Sequence, residues 1–178
     1  MDATLLVIVL IVVAVIVVAL VAFFVYRRRR QARAREEFGP EYERVVEERG
    51  SEREAEQELR ERRERVESEI QPLSEESRRR YEGQWQQVER TFVDDPAASL
   101  DDADRVVAEI LTERNFPTDS RQEASKGVGV MYPGVVEDFR EAQQIHQDAI
   151  RSQGEADLEK MRQAIQKYRS VYERVMEG

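Results

Sequence analysis

One histidine, a group of clustered aspartates, a set of spaced aromatics and a glycine-flanked apolar stretch are the residues whose types and spacing bear on chemistry. His146 is the only histidine. An imidazole changes charge near neutrality and suits a pH sensor. His146 falls within an apolar face, where a core histidine with one satisfied hydrogen bond is the plainer reading. A metal pair needs a second ligand three or four residues away, and those positions hold Ala142, Gln143, Ala149 and Ile150.

Asp94, Asp95, Asp101, Asp102 and Asp104 have the charge for a hard cation. Calcium loops alternate oxygen ligands around a glycine turn, which this spacing lacks, so the group reads as a helix cap followed by first-turn acids. Tyr81, Trp85, Tyr168 and Tyr172 line either a pocket or, as helical spacing more often means, a core. The stretch from Gly127 to Gly134 reads as a flexible apolar loop. Its Val128, Val130, Met131 and Tyr132 are either tucked beneath a bundle or presented to a partner protein. There is no nucleophile elbow, phosphate-cradling glycine loop, zinc spacing or cysteine. The chain is therefore expected to be no enzyme and to carry no cofactor or metal.

The elements that position these residues follow from apolar spacing. Ser74 caps a helix whose stripe is Tyr81, Trp85, Val88 and Phe92. Asp95 and Pro96 open a second, with Leu100, Ala103, Val106, Val107, Ile110 and Leu111, closed by Asn115-Phe116-Pro117. A short helical turn is expected over Asp119–Ser125. A third long helix carries Val135, Phe139, Ala142, His146 and Ala149. After a break at Gly154, a last one carries Leu158, Met161, Ile165, Tyr168, Tyr172 and Val175. Short loops predict antiparallel neighbours in a small bundle of about four helices over residues 72–178.

The amino-terminal part has a different composition. Leu5 to Val25 is an uninterrupted apolar run that meets Arg27-Arg28-Arg29-Arg30, with Arg33 and Arg35 beyond. The run is long enough as a helix for a bilayer core of ~30 Å. It lacks the basic n-region, short apolar stretch and small-residue end of a signal peptide. Residues 1–26 are thus expected to be a transmembrane anchor and 27–35 a basic juxtamembrane collar. The cations place the amino terminus outside and the carboxy-terminal domain in the cytoplasm, as a single-pass protein of the plasma membrane. Arg27, Arg28, Arg29, Arg30, Arg33 and Arg35 are the expected contacts to anionic headgroups, each contributing roughly 1 kcal/mol.

From Glu41 to Glu69, 19 of 29 positions are Glu or Arg. Pairs such as Glu56–Arg60 and Glu58–Arg62 have the helix-favouring order. Val45, Val46, Leu59, Val66 and Ile70 look too sparse for a coiled-coil seam. Residues 36–71 are therefore expected to be a charged, solvated helical stalk or linker, with a coiled-coil dimer as a further alternative. Net charge is +6 over 27–35, −7 over 36–70 and −7 over 71–178. An acidic body behind a cationic collar argues against nucleic acid as partner.

The strings Phe38-Gly39-Pro40-Glu41-Tyr42, Pro72-Leu73, Phe92-Val93-Asp94-Asp95-Pro96, Ala103-Asp104-Arg105-Val106-Val107 and Phe116-Pro117, with Tyr81 and Trp85, have a recognisable order. Through them the chain resembles a family of uncharacterised bacterial single-pass membrane-anchored proteins. The resemblance implies an all-α fold with an N-terminal transmembrane helix, a charged stalk and a helical bundle, and brings no activity. Where the family pattern resembles His-Pro, then Tyr-Arg and a later His, this chain has Tyr132-Pro133, Phe139-Arg140 and Gln143. The functional expectation is a membrane-tethered, non-enzymatic interaction module for a protein partner. The alternative is a membrane-anchored sensor taking a small molecule or ion between its helices.

Overall fold

The computed structural model describes residues 3–152 and 157–177, apart from the side chains at 3–15, 27 and 29–31. The expected break at Gly154 lies outside the described residues. Among the described residues every regular element is a helix, as the periodicities predict. The chain divides into two compact units, residues 1–37 and 38–178.

Helix α1 runs without interruption from Ala3 to Phe38. Its 36 residues measure about 54 Å at ~1.5 Å each. The described apolar side chains Ile16, Val17, Val18, Leu20, Val21, Phe23, Phe24, Val25 and Tyr26 are all exposed. Among the described residues no helix is long and apolar enough to cross a membrane. The first half of the expected span, Leu5–Val15, lies outside the described side chains. The helix stops because Gly39 sits at φ 52°, in the left-handed region, where a side chain is strained. A Cβ there would also come 3.2 Å from Pro133 Cβ. Pro40 then opens α2 (Pro40–Arg49) from its first turn.

Gly50, at φ 68°, closes α2 with its N–H on the Val46 carbonyl, and the Ser51 hydroxyl accepts from Glu54 N to open α3 (Glu52–Glu69). The result is a tight helical hairpin. The ion pairs Glu56–Arg60 at 2.8 Å and Glu58–Arg62 at 2.5 Å form as their spacing predicts. The expected stalk over 36–71 is corrected here, because α2 and α3 are packed and not solvated. Phe38, Val45, Ala55 and Leu59 are wholly buried, with Tyr42 and Val66 nearly so. Spaced by 4 and 3 (38, 42, 45) and by 4 and 7 (55, 59, 66), they form two narrow stripes that close on each other and on α6.

The remaining helices are α4 (Glu75–Asp94), α5 (Pro96–Glu113), α6 (Arg121–Met131), α7 (Val136–Arg151) and α8 (Leu158–Glu177). Ser74 caps α4 by accepting from Ser77 N, and Asp95 caps α5 by accepting from Ala98 N, both as expected. The turn expected over 119–125 is instead the first part of α6, opened by Ser120 on Glu123 N and continuing to Met131. That extension also corrects the reading of 127–134 as a flexible loop over 127–131, the chain leaving the helix at Tyr132.

Helices α4, α5, α7 and α8 make a bundle, with α6 beside it carrying the α2–α3 hairpin. Helices α4 and α5 are antiparallel neighbours, as are α7 and α8. Helices α5 and α8 instead run parallel and in close contact: Asp104 meets Tyr168 and Arg114 meets Val175. Ala103 on α5 and Ala164 on α8 are small and wholly buried, which suits a close approach, while Ser99 of α5 donates from its hydroxyl to the Val88 carbonyl of α4 at 2.9 Å.

Packing of α3 has a measurable consequence. Leu59→Ala should cost ~2–5 kcal/mol, the range for truncating a core leucine, and not the few tenths of a solvated stalk. Urea unfolding of the full chain in detergent micelles, followed by circular dichroism, reads this directly.

Candidate functional site

Polar groups converge at three places in the unit 38–178. In the first, α5 supplies Asp101 and Asp104 on one face, one turn apart. His146 of α7 is buried against them, with Nε2 2.6 Å from Asp101 Oδ1 and Nδ1 3.7 Å from Asp104 Oδ2. Asp104 also accepts from Tyr168 Oη of α8 at 2.8 Å and from Arg121 Nη2 at the start of α6 at 2.9 Å. Burial, and then the neighbouring Asp104 carboxylate, push the Tyr168 phenol far up, so it stays a hydrogen-bond donor. Nδ1 of His146 is buried and finds no hydrogen-bond partner among the described residues.

In the second, Arg114 at the end of α5 is almost fully buried. Its Nε donates to the Gln71 carbonyl at 3.2 Å, while Nη1 donates to Tyr132 Oη at 2.8 Å and the Val175 carbonyl at 2.7 Å. The Arg114 carbonyl in turn accepts from Gln71 N at 2.9 Å. Phe116 and Tyr132 pack their rings against the guanidinium at 5.5 and 5.9 Å. Its described hydrogen-bond partners are thus carbonyls and a phenol. One carbonyl belongs to the negative end of α8, which favours a cation. Arg78 of α4 reaches the neighbouring Met176 carbonyl.

In the third, Glu41 of α2 is wholly buried and paired with Arg44 (2.7 Å) and with Arg140 of α7. Desolvation pushes the Arg140 guanidinium down from its ordinary value. Gly129 of α6 roofs this carboxylate, and a Cβ there would lie 2.5 Å from Glu41 Cγ. Gly127 leaves room likewise for Pro117, which a Cβ would meet at 3.0 Å. The two glycines are notches for close packing, which accounts for their presence in an apolar helix.

The residues singled out from sequence are distributed as follows. Val128 and Val130 are wholly buried in α6 and Tyr132 nearly so, while Met131 is half-buried. None of the four stands on an exposed loop, so the partner-facing option for them is corrected in favour of packing. The aspartates separate into roles: Asp95 caps α5, Asp102 pairs with Arg105, and Asp101 and Asp104 meet His146. Among the described residues no group of His, Cys, Asp and Glu is arranged to hold a metal ion. Trp85 and Tyr172 stack at 4.4 Å and 13° within the core. Of the collar, Arg28, Arg33 and Arg35 have exposed side chains; Arg27, Arg29 and Arg30 lie outside the described side chains.

Arg114, Glu41 and Gly129 were not marked by spacing alone. Glu41 and Gly39 stand between Phe38 and Tyr42 in a segment rich in Glu and Arg, and that composition hides the burial of Glu41. A shallow groove of about 400 Å³ lies between α4 and α5, lined by Tyr81, Arg105, Ala108, Glu109, Thr112 and Glu113. Tyr81 Oη donates to Glu113 at 2.7 Å, and Arg80 pairs with the same carboxylate. Hydrogen bonds from Ser77 and Tyr81, helped by Arg80, hold the Glu113 carboxyl below the usual carboxylate range. The groove has an apolar floor with both charges at its rim.

Two outcomes follow. Arg114→Ala strands the Gln71 and Val175 carbonyls and Tyr132 Oη, and should cost ~3–5 kcal/mol in urea unfolding, the cost of breaking a buried charged network. Burial, with Glu82, Glu173 and Glu89 nearby, pushes the Tyr172 phenol up to about 12. A raised phenol contributes stability in full below the unfolded tyrosine value of ~10, and loses it as pH rises through the folded one. Alkaline unfolding between those limits should be flatter in Tyr172→Phe, as read by phenolate absorbance alongside circular dichroism.

Compared with protein-family models, curated proteins and solved structures, the chain matches none.

Proposed function

We propose that this protein is a single-pass, membrane-tethered interaction module, its amino terminus outside and residues 38–178 a cytoplasmic binding body. The observation that carries the reading is the exposed apolar surface of α1. From Ile16 to Tyr26 every described side chain is exposed and every residue is apolar, on all sides of the helix. A helix apolar all round needs a surrounding as apolar as itself, which a bilayer supplies. The expected apolar span of 5–25 and the collar Arg27–Arg30 complete the pattern. Helix α1 continues unbroken through the collar, so Arg28, Arg33 and Arg35 are carried on a regular helix at the level where headgroups would lie.

An interaction role is supported by what the body offers. Its buried polar groups serve packing, and its open groove between α4 and α5 is shallow, polar-rimmed and of modest volume. A protein partner that lays an apolar residue on Ala108 with basic and acidic groups beside Glu109 and Arg105 matches that surface.

The anchor reading is tested by replacing Val17 and Val21 with aspartate. Each charge in mid-span costs ~2.5–3.5 kcal/mol on the insertion scale. The native chain should stay with carbonate-washed membranes and the double variant should appear in the wash. A native chain that washes off sinks the anchor. The chain contains no cysteine, so Ser152→Cys gives a single thiol for an impermeant reagent, which should label lysates and not intact cells. For the binding role, the full chain in detergent should retain a stoichiometric partner that Ala108→Arg loses.

A further inference from the structure

We propose that the end of the bundle where α4 turns into α5 and α7 precedes α8 is a second docking surface, which takes a cationic amphipathic helix of another protein. It is distinct from the groove between α4 and α5, and it stands whether or not α1 spans a bilayer.

Among the described residues of 38–178, the large apolar side chains that stand exposed are Val93 (81%), Ile150 (58%) and Leu158 (59%). Helix register puts all three at one end. Val93 lies in the last turn of α4, just before α5 begins at Pro96. The contact of His146 with Asp101 sets the end of α7 level with the start of α5, and Ile150 lies one turn beyond His146. The contact of Tyr168 with Asp104 fixes α8 in the same way. Leu158 comes ~15 Å before Tyr168 and Pro96 ~12 Å before Asp104, so α5 and α8 start at about one level. The opposite end is tied by Arg78 and Arg114 to the last carbonyls of α8. Exposed apolar residues scattered singly carry no meaning, but here three helix ends leave theirs on one face.

Spacing selects the form of the occupant. Packed helices lie ~8–10 Å apart, and residues one and two turns apart on a helix lie ~5.4 and ~11 Å apart. An apolar stripe two or three turns long therefore reaches from one helix end to the next. Charge selects its sign. Residues 93–104 hold five aspartates and no Lys or Arg, and Asp94, Asp95 and Asp101 are exposed. On the α7–α8 side Arg151 pairs with Asp148 and Arg162 with Glu159, while Lys160 and Asp157 balance in number. The excess of negative charge thus comes from the α4–α5 turn, beside Val93. A net charge of −7 over 36–70 and −7 again over 71–178 repels a second copy and an anionic bilayer, and attracts a basic segment.

The probe is a fluorescein-labelled Lys/Leu peptide of about five helical turns with its leucines on one face. Binding to the full chain in uncharged detergent is read by anisotropy, with empty micelles subtracted. The native chain should bind the peptide, and more weakly as salt rises past ~0.15 M. Replacing Val93, Ile150 and Leu158 together by serine should raise Kd about tenfold or more. All three side chains are exposed, so the fold survives, as circular dichroism checks. Asp94→Asn with Asp95→Asn keeps a capping side chain for α5 and should flatten the salt dependence. A peptide of equal composition with leucines scattered around the helix should bind about tenfold more weakly. A native chain that ignores the amphipathic peptide overturns the proposal, as does a serine variant whose Kd moves less than about twofold. Equal binding of the scattered peptide, or a salt dependence that the asparagines leave unchanged, overturns it too. So does a native chain that sediments as a dimer while the serine variant is a monomer, which gives the surface to a second copy.

Discussion

The body of this protein depends on a buried guanidinium. Arg114 joins the segment before α4, the end of α5, Tyr132 beyond α6 and the last turn of α8. Asn115, at φ 63°, turns the chain beside it and donates from Nδ2 to the Glu69 carbonyl at 3.0 Å. Four segments distant in sequence thus meet at one cation, whose desolvation is offset by carbonyl oxygens and ring faces. The parallel approach of α5 and α8 is the geometric result, because the C-terminal ends of both helices must lie within reach of one side chain.

A second constraint joins the outer layer to the bundle. Glu41 and Arg140 form a buried ion pair across α2 and α7, and α6 must pass over it with no side chain at Gly129. Glu41 is wholly buried and its charge is met from two sides, by Arg44 of its own helix and by Arg140 of α7. The pair selects one seating of the α2–α3 hairpin among the several that two narrow apolar stripes would allow. Arg63 lying 5.6 Å from the Phe38 ring adds to the same choice.

Most of the fold was legible because its signals are local. Ser74, Asp95 and Pro96 act on the backbone next to them, and the stripe Tyr81–Trp85–Val88 states its period within two turns. The α2–α3 hairpin was misread for the opposite reason. Its buried residues are few, its surface is nearly all Glu and Arg, and the stripe 55, 59, 66 has meaning only with α6 opposite. Glycines at 127 and 129 suggested a loop by composition, since the need for them comes from Pro117 and Glu41, residues far away in sequence. The candidate site was legible in part. His146 and the aspartates were marked by type, but that α5 and α7 bring Asp101, Asp104 and the imidazole together is a tertiary fact.

The dependence of Arg78 and Arg114 on the Met176 and Val175 carbonyls bears on synthesis. A chain growing from its amino end has made Arg78 and Arg114 well before the Met176 and Val175 carbonyls that accept from them. At ~5–20 residues per second the wait from Arg78 to Met176 is on the order of ten seconds. During it, the face of Trp85 that Tyr172 of α8 will cover stands open on the nascent polypeptide. Helix α8, made well after α4 and α5, is therefore the one that closes this part of the bundle.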